Sequence, residues 1–255
     1  TNQDLEEIFS PKKDGWLKIG NLLRNKKIEA KINLDRIVSR HLGILAMTGM
    51  GKSNLVSLIT KKISEVKGTV IIFDYHNDYT TLNIPNVNVI DAKINPRLLE
   101  ADQFSEVLEI RENADVQQRV LRMSFTQEVK EAGEFWNKLE YEVDLLVNSE
   151  DKKLKEIRTS AYRVQDIIED AQRRFDDILD PEVGNPMDYI KEGYTNIINI
   201  SELSEKQANV AMGFYLQQLL KDRKNATIAK HGKSKKQKDY KFFEPVFIIL
   251  EEAHV

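Results

Sequence analysis

Ala46-Met-Thr-Gly-Met-Gly-Lys52-Ser53 has the spacing of a phosphate-binding loop, Ala/Gly-x-x-x-x-Gly-Lys-Ser/Thr, with Ala46 in the place of the usual first glycine. Gly49 and Gly51 can adopt positive φ and bring amide groups against phosphate oxygens, and a following helix would add its N-terminal partial positive charge. The residues expected to cradle a nucleotide are therefore Thr48, Gly49, Met50, Gly51, Lys52, Ser53 and Asn54. Lys52 would reach the β- and γ-phosphates, and the Ser53 hydroxyl would hold Mg2+, so the implied ligands are ATP and Mg2+. The complement of such a loop is an apolar strand ending in acid, and Val246-Phe-Ile-Ile-Leu250-Glu251-Glu252 supplies one. Glu251 would orient Mg2+ and its waters, and Glu252 would be the general base that polarises the attacking water.

Three further groups have the right chemistry without a settled role. Asp74-Tyr-His76-Asn-Asp78-Tyr follows an apolar run, at the strand edge where α/β folds place ligands, and reads either as a supporting part of the site or as an ordinary polar loop. His76 and His254 lack a third ligand at a recognisable spacing, so no zinc centre is assigned. Arg40 precedes the run Leu42–Ala46, which as a strand of ~3.3 Å per residue would set it roughly 15–20 Å from its own phosphates. It is either a surface arginine at a strand entry or a finger offered to the site of a neighbouring subunit.

These residues require strand–loop–helix units to position them. Leu42–Ala46 reads as a buried strand, and Lys52–Glu65 as a helix with Leu55, Val56, Ile59 and Ile63 at helical spacing. Thr69–Phe73, Val87–Ile90 and Asn196–Ile200 read as further strands, and Trp16–Lys31 as short strands and turns. Between them, about Phe104 to Ile178, Ile157, Ala161, Val164, Ile168, Ala171, Phe175 and Ile178 keep to steps of three or four. Phe135, Leu139, Val143 and Leu146 do likewise, which predicts three or four amphipathic helices inserted into an α/β alternation. Ser204 and Gln207 form a capping-box pair at the head of another helix, and Asn225–Asp239 reads as a polar, basic loop.

The expected divisions are 1–31, a linker and the start of the core; 32–99, the first part of the phosphate-loop core; 100–186, the helical insertion; and 187–255, the second part of the core. The 255 residues are 41% apolar, enough for a sizeable core, which excludes a disordered chain. A net charge of −3 excludes a uniformly basic nucleic-acid binder. That average combines 21 acids and 12 bases in Glu100–Asp180 with 9 bases and 2 acids in Lys221–Lys241. The absence of cysteine excludes disulfides, Cys-ligated metals and thiol nucleophiles, and fits a cytoplasmic setting. Neither a membrane span nor a signal peptide is evident, and a chain that stops just past Glu252 reads as part of a longer one.

Arg40-His41, the Ala-x-Thr-Gly-x-Gly-Lys-Ser loop, Phe-Asp-Tyr-His-x-x-Tyr, Leu108-Glu-Ile-Arg-Glu-Asn-Ala114 and Ile-Leu-Glu-Glu-Ala-His-Val together resemble the archaeal HerA family, in the HerA/FtsK group of ring-forming DNA-translocating ATPases. The resemblance covers roughly Gly15 to Val255 and implies a RecA-like P-loop ATPase core with an inserted helical bundle. It implies a homohexamer that drives duplex DNA through its channel, with the NurA nuclease as partner in resecting DNA ends for recombinational repair. Carried onto this sequence, the family's loop lysine falls on Lys52, its Mg2+ hydroxyl on Ser53, its acidic pair on Glu251 and Glu252, and its pre-strand arginine on Arg40. The second-strand motif of the family usually reads Asp-x-His-Gly-Glu-Tyr, so Asn77-Asp78 is a departure with a shorter acid. The family's N-terminal β-barrel and the polar-sensor strand beyond the acidic strand are absent from this sequence. The residues leave open a related motor that moves protein or DNA through a secretion channel, and a nucleotide switch without useful turnover.

Overall fold

The computed structural model describes residues 2–47, 49–81, 83–84, 86–176, 178–231 and 241–251. In chain order these form α1 (Asn2–Phe9), β1 (Trp16–Leu22), β2 (Asn25–Asn33), α2 (Leu34–Ser39), α3 (Lys52–Glu65), β3 (Thr69–Asp74) and β4 (Val87–Asp91). There follow α4 (Ala101–Val107), α5 (Asp115–Ser124), α6 (Gln127–Glu131), α7 (Phe135–Val147), α8 (Lys152–Lys155), α9 (Arg158–Arg174) and α10 (Pro186–Tyr189). The described chain closes with β5 (Thr195–Asn199), α11 (Glu205–His231) and β6 (Val246–Leu250). Two compact units result: Thr1–Ile90 with Ile190–Ser201 and Lys221–His254, and Asp91–Tyr189 with Glu202–Leu220.

The first unit is built on a sheet of order β4-β5-β3-β6, beside the antiparallel β1-β2 hairpin. β3 is an inner strand, parallel to both β5 and β6, with Val70 opposite Thr195 on one side and Phe247 on the other. All six of its residues are buried, which is why Thr-Val-Ile-Ile-Phe-Asp shows no polar alternation: a strand covered on both faces has no solvent side to mark. Val56, Ile59 and Ile63 of α3 pack with Val70, Ile72, Ile197 and Tyr79. Fully burying each such aliphatic side chain contributes roughly 1.5–3 kcal/mol.

Two expected features differ. Leu42–Ala46 forms no strand, and Leu45 is 97% exposed. Its apolar composition suits a buried strand, but β6 is bonded only to β3, so this run has no ladder partner among the described residues. Asn225–His231, expected to be loop, instead continues α11. Ala226 and Ala229 are buried there, and Arg223 donates to the carbonyls of Phe242 and Phe243, so packing outweighs the polar composition. Residues 232–239, the rest of the expected basic loop, lie outside the described residues.

The second unit is helical. Leu139 and Val143 of α7 and Val164 and Ile168 of α9 are fully buried as the two helices pack, with Ala161 and Ala171 on the same buried face of α9. Phe104 stacks on Phe125 at 4.6 Å, and Phe135 meets Phe125 edge-on at 6.2 Å. Arg97 ties the loops together by donating to the carbonyls of Lys130, Ala132, Gly133 and Pro181 and to the Glu182 carboxylate. Ser204 and Gln207 form the capping box at the head of α11, the serine N–H donating to the glutamine side chain at 2.7 Å.

Candidate active site

α3 begins at Lys52 because Gly51, with φ 90°, turns the chain in the left-handed region open to glycine. Gly49, at φ 79°, does the same two residues earlier, and the Met50 N–H closes the turn on the Met47 carbonyl at 3.1 Å. Gly51 has no side chain with which to cap the helix, so the first-turn amides are not consumed by a cap and remain suited to an anion. Gly49, Gly51, Lys52, Ser53 and Asn54 line an open cavity of about 860 Å³. Met50 is 70% exposed and outside that lining, and Thr48 lies outside the described residues.

The opposite wall is β6. Phe247 and Ile249 line the cavity together with Ile248 and Leu250, so both faces of the strand contribute, as expected where a cavity runs along a strand edge without a ladder partner among the described residues. Glu251 ends this wall at 5% exposure. Its Oε2 accepts from the backbone N–H of Tyr75 and of His76, both at 3.2 Å, while Oε1 has no partner among the described residues. Burial pushes its carboxyl above the ordinary value; the His76 N–H acts in the opposite direction, and Asp74 and Asp78 add to the rise. The proposed base Glu252 lies outside the described residues, as does His254.

The loop after β3 forms the floor. Asp74 is fully buried, with Oδ1 accepting from the Asp78 N–H and Oδ2 from the Tyr79 N–H, both at 2.9 Å. Asn77 takes φ 59° at the bend, a conformation asparagine tolerates. Asp78 thereby meets the phosphate loop: Ser53 Oγ donates to its Oδ2 at 2.8 Å. Tyr79, 1% exposed, has its phenol pushed up to about 12, chiefly by burial and next by Glu251. Asp78, Tyr79 and His76 all line the same cavity.

The structure thus brings Lys52, Ser53 and Glu251 to one cavity. Arg40 is exposed at the end of α2 and is not part of that lining. The bond between Ser53 and Asp78 and the tie from Glu251 to the β3 exit escaped the sequence reading. An acid closing a buried strand before Asn signals the turn; no local pattern reports the tie, which joins residues 175 positions apart.

A cation fits this donor set, because the Glu251 oxygen that lacks a partner among the described residues and the Ser53 hydroxyl are hard oxygen ligands. Among the described residues no three His, Cys, Asp or Glu side chains form a self-sufficient metal cage. Mg2+ takes one or two carboxylates and completes its shell with waters and phosphate oxygens, so a carboxylate oxygen and a hydroxyl are donors of the right kind for it.

The fold is similar to VirB4 of Thermoanaerobacter pseudethanolicus, with a TM-score of 0.58 at 15% identity over 84% of this chain and 65% of that one, which marks a RecA-like α/β core. Over the whole chain, it is 38% identical to the DNA double-strand break repair helicase HerA of Sulfurisphaera tokodaii and 34% identical to that of Sulfolobus acidocaldarius, 51% of each relative being covered. The match to that of Saccharolobus solfataricus is 33%, again over the whole chain and 50% of the relative. The chain therefore spans about half the length of these relatives. The profile described as Helicase HerA, central domain, matches residues 17–219, and the chain belongs to the HerA helicase family.

Proposed function

We propose that the chain is the ATP-hydrolysing part of a DNA translocase or helicase. One observation carries this reading: a buried carboxylate, Glu251, with one oxygen unpartnered among the described residues, in the same cavity as Lys52, Ser53 and the uncapped head of α3. The amides of the loop and the first turn of α3 bind the phosphates, Lys52 neutralises the β- and γ-oxygens, and Ser53 and Glu251 hold Mg2+. Mg2+, when bound, offsets charge on the oxygens of the transferring phosphoryl group. Glu252 takes the proton of the attacking water, and Arg40 of a neighbouring subunit reaches the γ-phosphate in a homohexamer.

Further components of the reading are duplex DNA as the substrate of translocation, the NurA nuclease as partner, resection of DNA ends in recombinational repair, and a cytoplasmic setting. The names and identities of the relatives favour DNA over the secretion-motor alternative. Among the described residues no helix is long and apolar enough to cross a membrane. The test is ATPase turnover of the intact protein, with and without duplex DNA or an unfolded polypeptide. Stimulation by duplex DNA is the expected result. Stimulation by unfolded polypeptide alone, or no turnover under any condition, overturns it.

A further inference from the structure

We propose, resting on the nucleotide-site reading above, that Asp78 is a positioning residue of the Mg2+ site: it fixes the Ser53 hydroxyl as a cation ligand and accepts hydrogen bonds from waters on the cation. The sequence assigned the metal to Ser53 and Glu251, with Asp78 as loop charge or support. The geometry gives it a definite task. Ser53 Oγ donates its proton to Asp78 Oδ2 at 2.8 Å. A hydroxyl whose proton is committed to a carboxylate presents lone pairs elsewhere, the state in which it can ligate a cation.

Asp78 does not reach Ser53 by chance of a mobile loop. Its N–H is held at 2.9 Å by the fully buried Asp74, and the adjoining Tyr79 N–H is held by the other oxygen of that carboxylate. Asp78 itself is exposed on the cavity wall, so its second oxygen can take water, and Glu251 Oε1 supplies an independent, buried oxygen without a partner among the described residues. Because Mg2+ retains several waters, an acid acting through them matters without direct coordination. Acids of this outer kind typically cost 10–100-fold in metal affinity when removed.

The experiment titrates the intact protein with a fluorescent ADP analogue, once in Mg2+ and once in EDTA. Wild type binds more tightly in Mg2+. Asp78→Ala reduces that Mg2+ enhancement by about tenfold while leaving affinity in EDTA within about twofold. Asp78→Asn, which keeps an acceptor for Ser53 and lacks the charge, falls between the two. Direct Mn2+ binding to the ADP complex, followed by the spin signal of the free ion, should weaken in the same order. Equal losses in Mg2+ and EDTA would show Asp78 to be structural, and an unchanged Mg2+ enhancement would show it to be a bystander; either overturns the proposal. A wild-type protein that binds the nucleotide in neither buffer overturns the nucleotide-site reading instead, and is distinguished by that.

Discussion

Two neighbouring parallel strands end in buried acids, and the acids are treated differently. Asp74, at the end of β3, is fully buried, and each of its oxygens accepts a backbone N–H. Glu251, just beyond β6, is almost as buried, yet both of its bonds fall on Oε2 and Oε1 is left without a partner among the described residues. A buried charge is tolerated when its lone pairs are used and costly when they are not. Asp74 therefore reads as part of the frame, and under the proposed function Glu251 is the acid whose second oxygen takes the cation. Residue type and burial alone would not separate them.

The strongest way to break this comparison is to remove Asp74. Asp74→Ala strands the Asp78 and Tyr79 amides and forfeits two hydrogen bonds to a charged acceptor, and should cost about 3 kcal/mol or more of unfolding free energy. Urea unfolding of the intact protein measures it. A loss below about 1 kcal/mol would remove Asp74 from the frame.

Glu251→Gln tests the other half. Under the proposed function it lowers Mg2+-dependent turnover about 100-fold, the scale of losing one preorganised electrostatic contact, while unfolding free energy changes by no more than about 1 kcal/mol. If the two substitutions destabilise equally and turnover survives, the distinction between the acids fails.

The smallest effect is one of pH. Because the Glu251 carboxyl is held above its ordinary value when folded, the unfolded chain releases that proton first as pH rises. The folded state then holds more protons, so the contribution of Glu251 is fully present below the ordinary carboxylate range and is lost as pH rises through its raised value. In EDTA, Tm of Glu251→Gln relative to wild type should climb across that window and then level off. Mg2+ favours the ionised form and should shrink the difference. A constant offset across pH would mean that the carboxylate is not strained in the folded state.

Legibility in the sequence followed the range of the interactions. Thr69–Phe73 and Val246–Leu250 announced strands as unbroken apolar runs, and α9 announced itself through Ala161, Val164, Ile168 and Ala171, since both patterns are local. Lys52 and Ser53 were legible as site candidates because the phosphate loop carries its chemistry within eight residues, and Glu251 because an acid closes an apolar run. Leu42–Ala46 misled because composition reports what a segment could bury, whereas a strand also needs a neighbour to bond. The end of α11 misled in the opposite sense: its lysines obscure Ala226 and Ala229, whose burial was settled by residues distant in sequence. The ties from Ser53 to Asp78 and from Glu251 to Tyr75 and His76 depend on the ends of β3 and β6 meeting the head of α3, which no window of sequence contains.

The register of β3 also bears on how the chain is made. Val70 pairs with Thr195 and Phe247, so both partners of the most buried strand are synthesised only after the residues of α4 to α10. At ribosomal speeds of about 5–20 residues per second, Thr-Val-Ile-Ile-Phe leaves the tunnel on the order of ten seconds before either neighbour exists. The intervening helices can form from near contacts during that wait, whereas the sheet cannot. During translation, then, the segment that becomes the best-protected strand is an unpaired, β-branched stretch of the nascent chain, and a natural point of engagement for a chaperone.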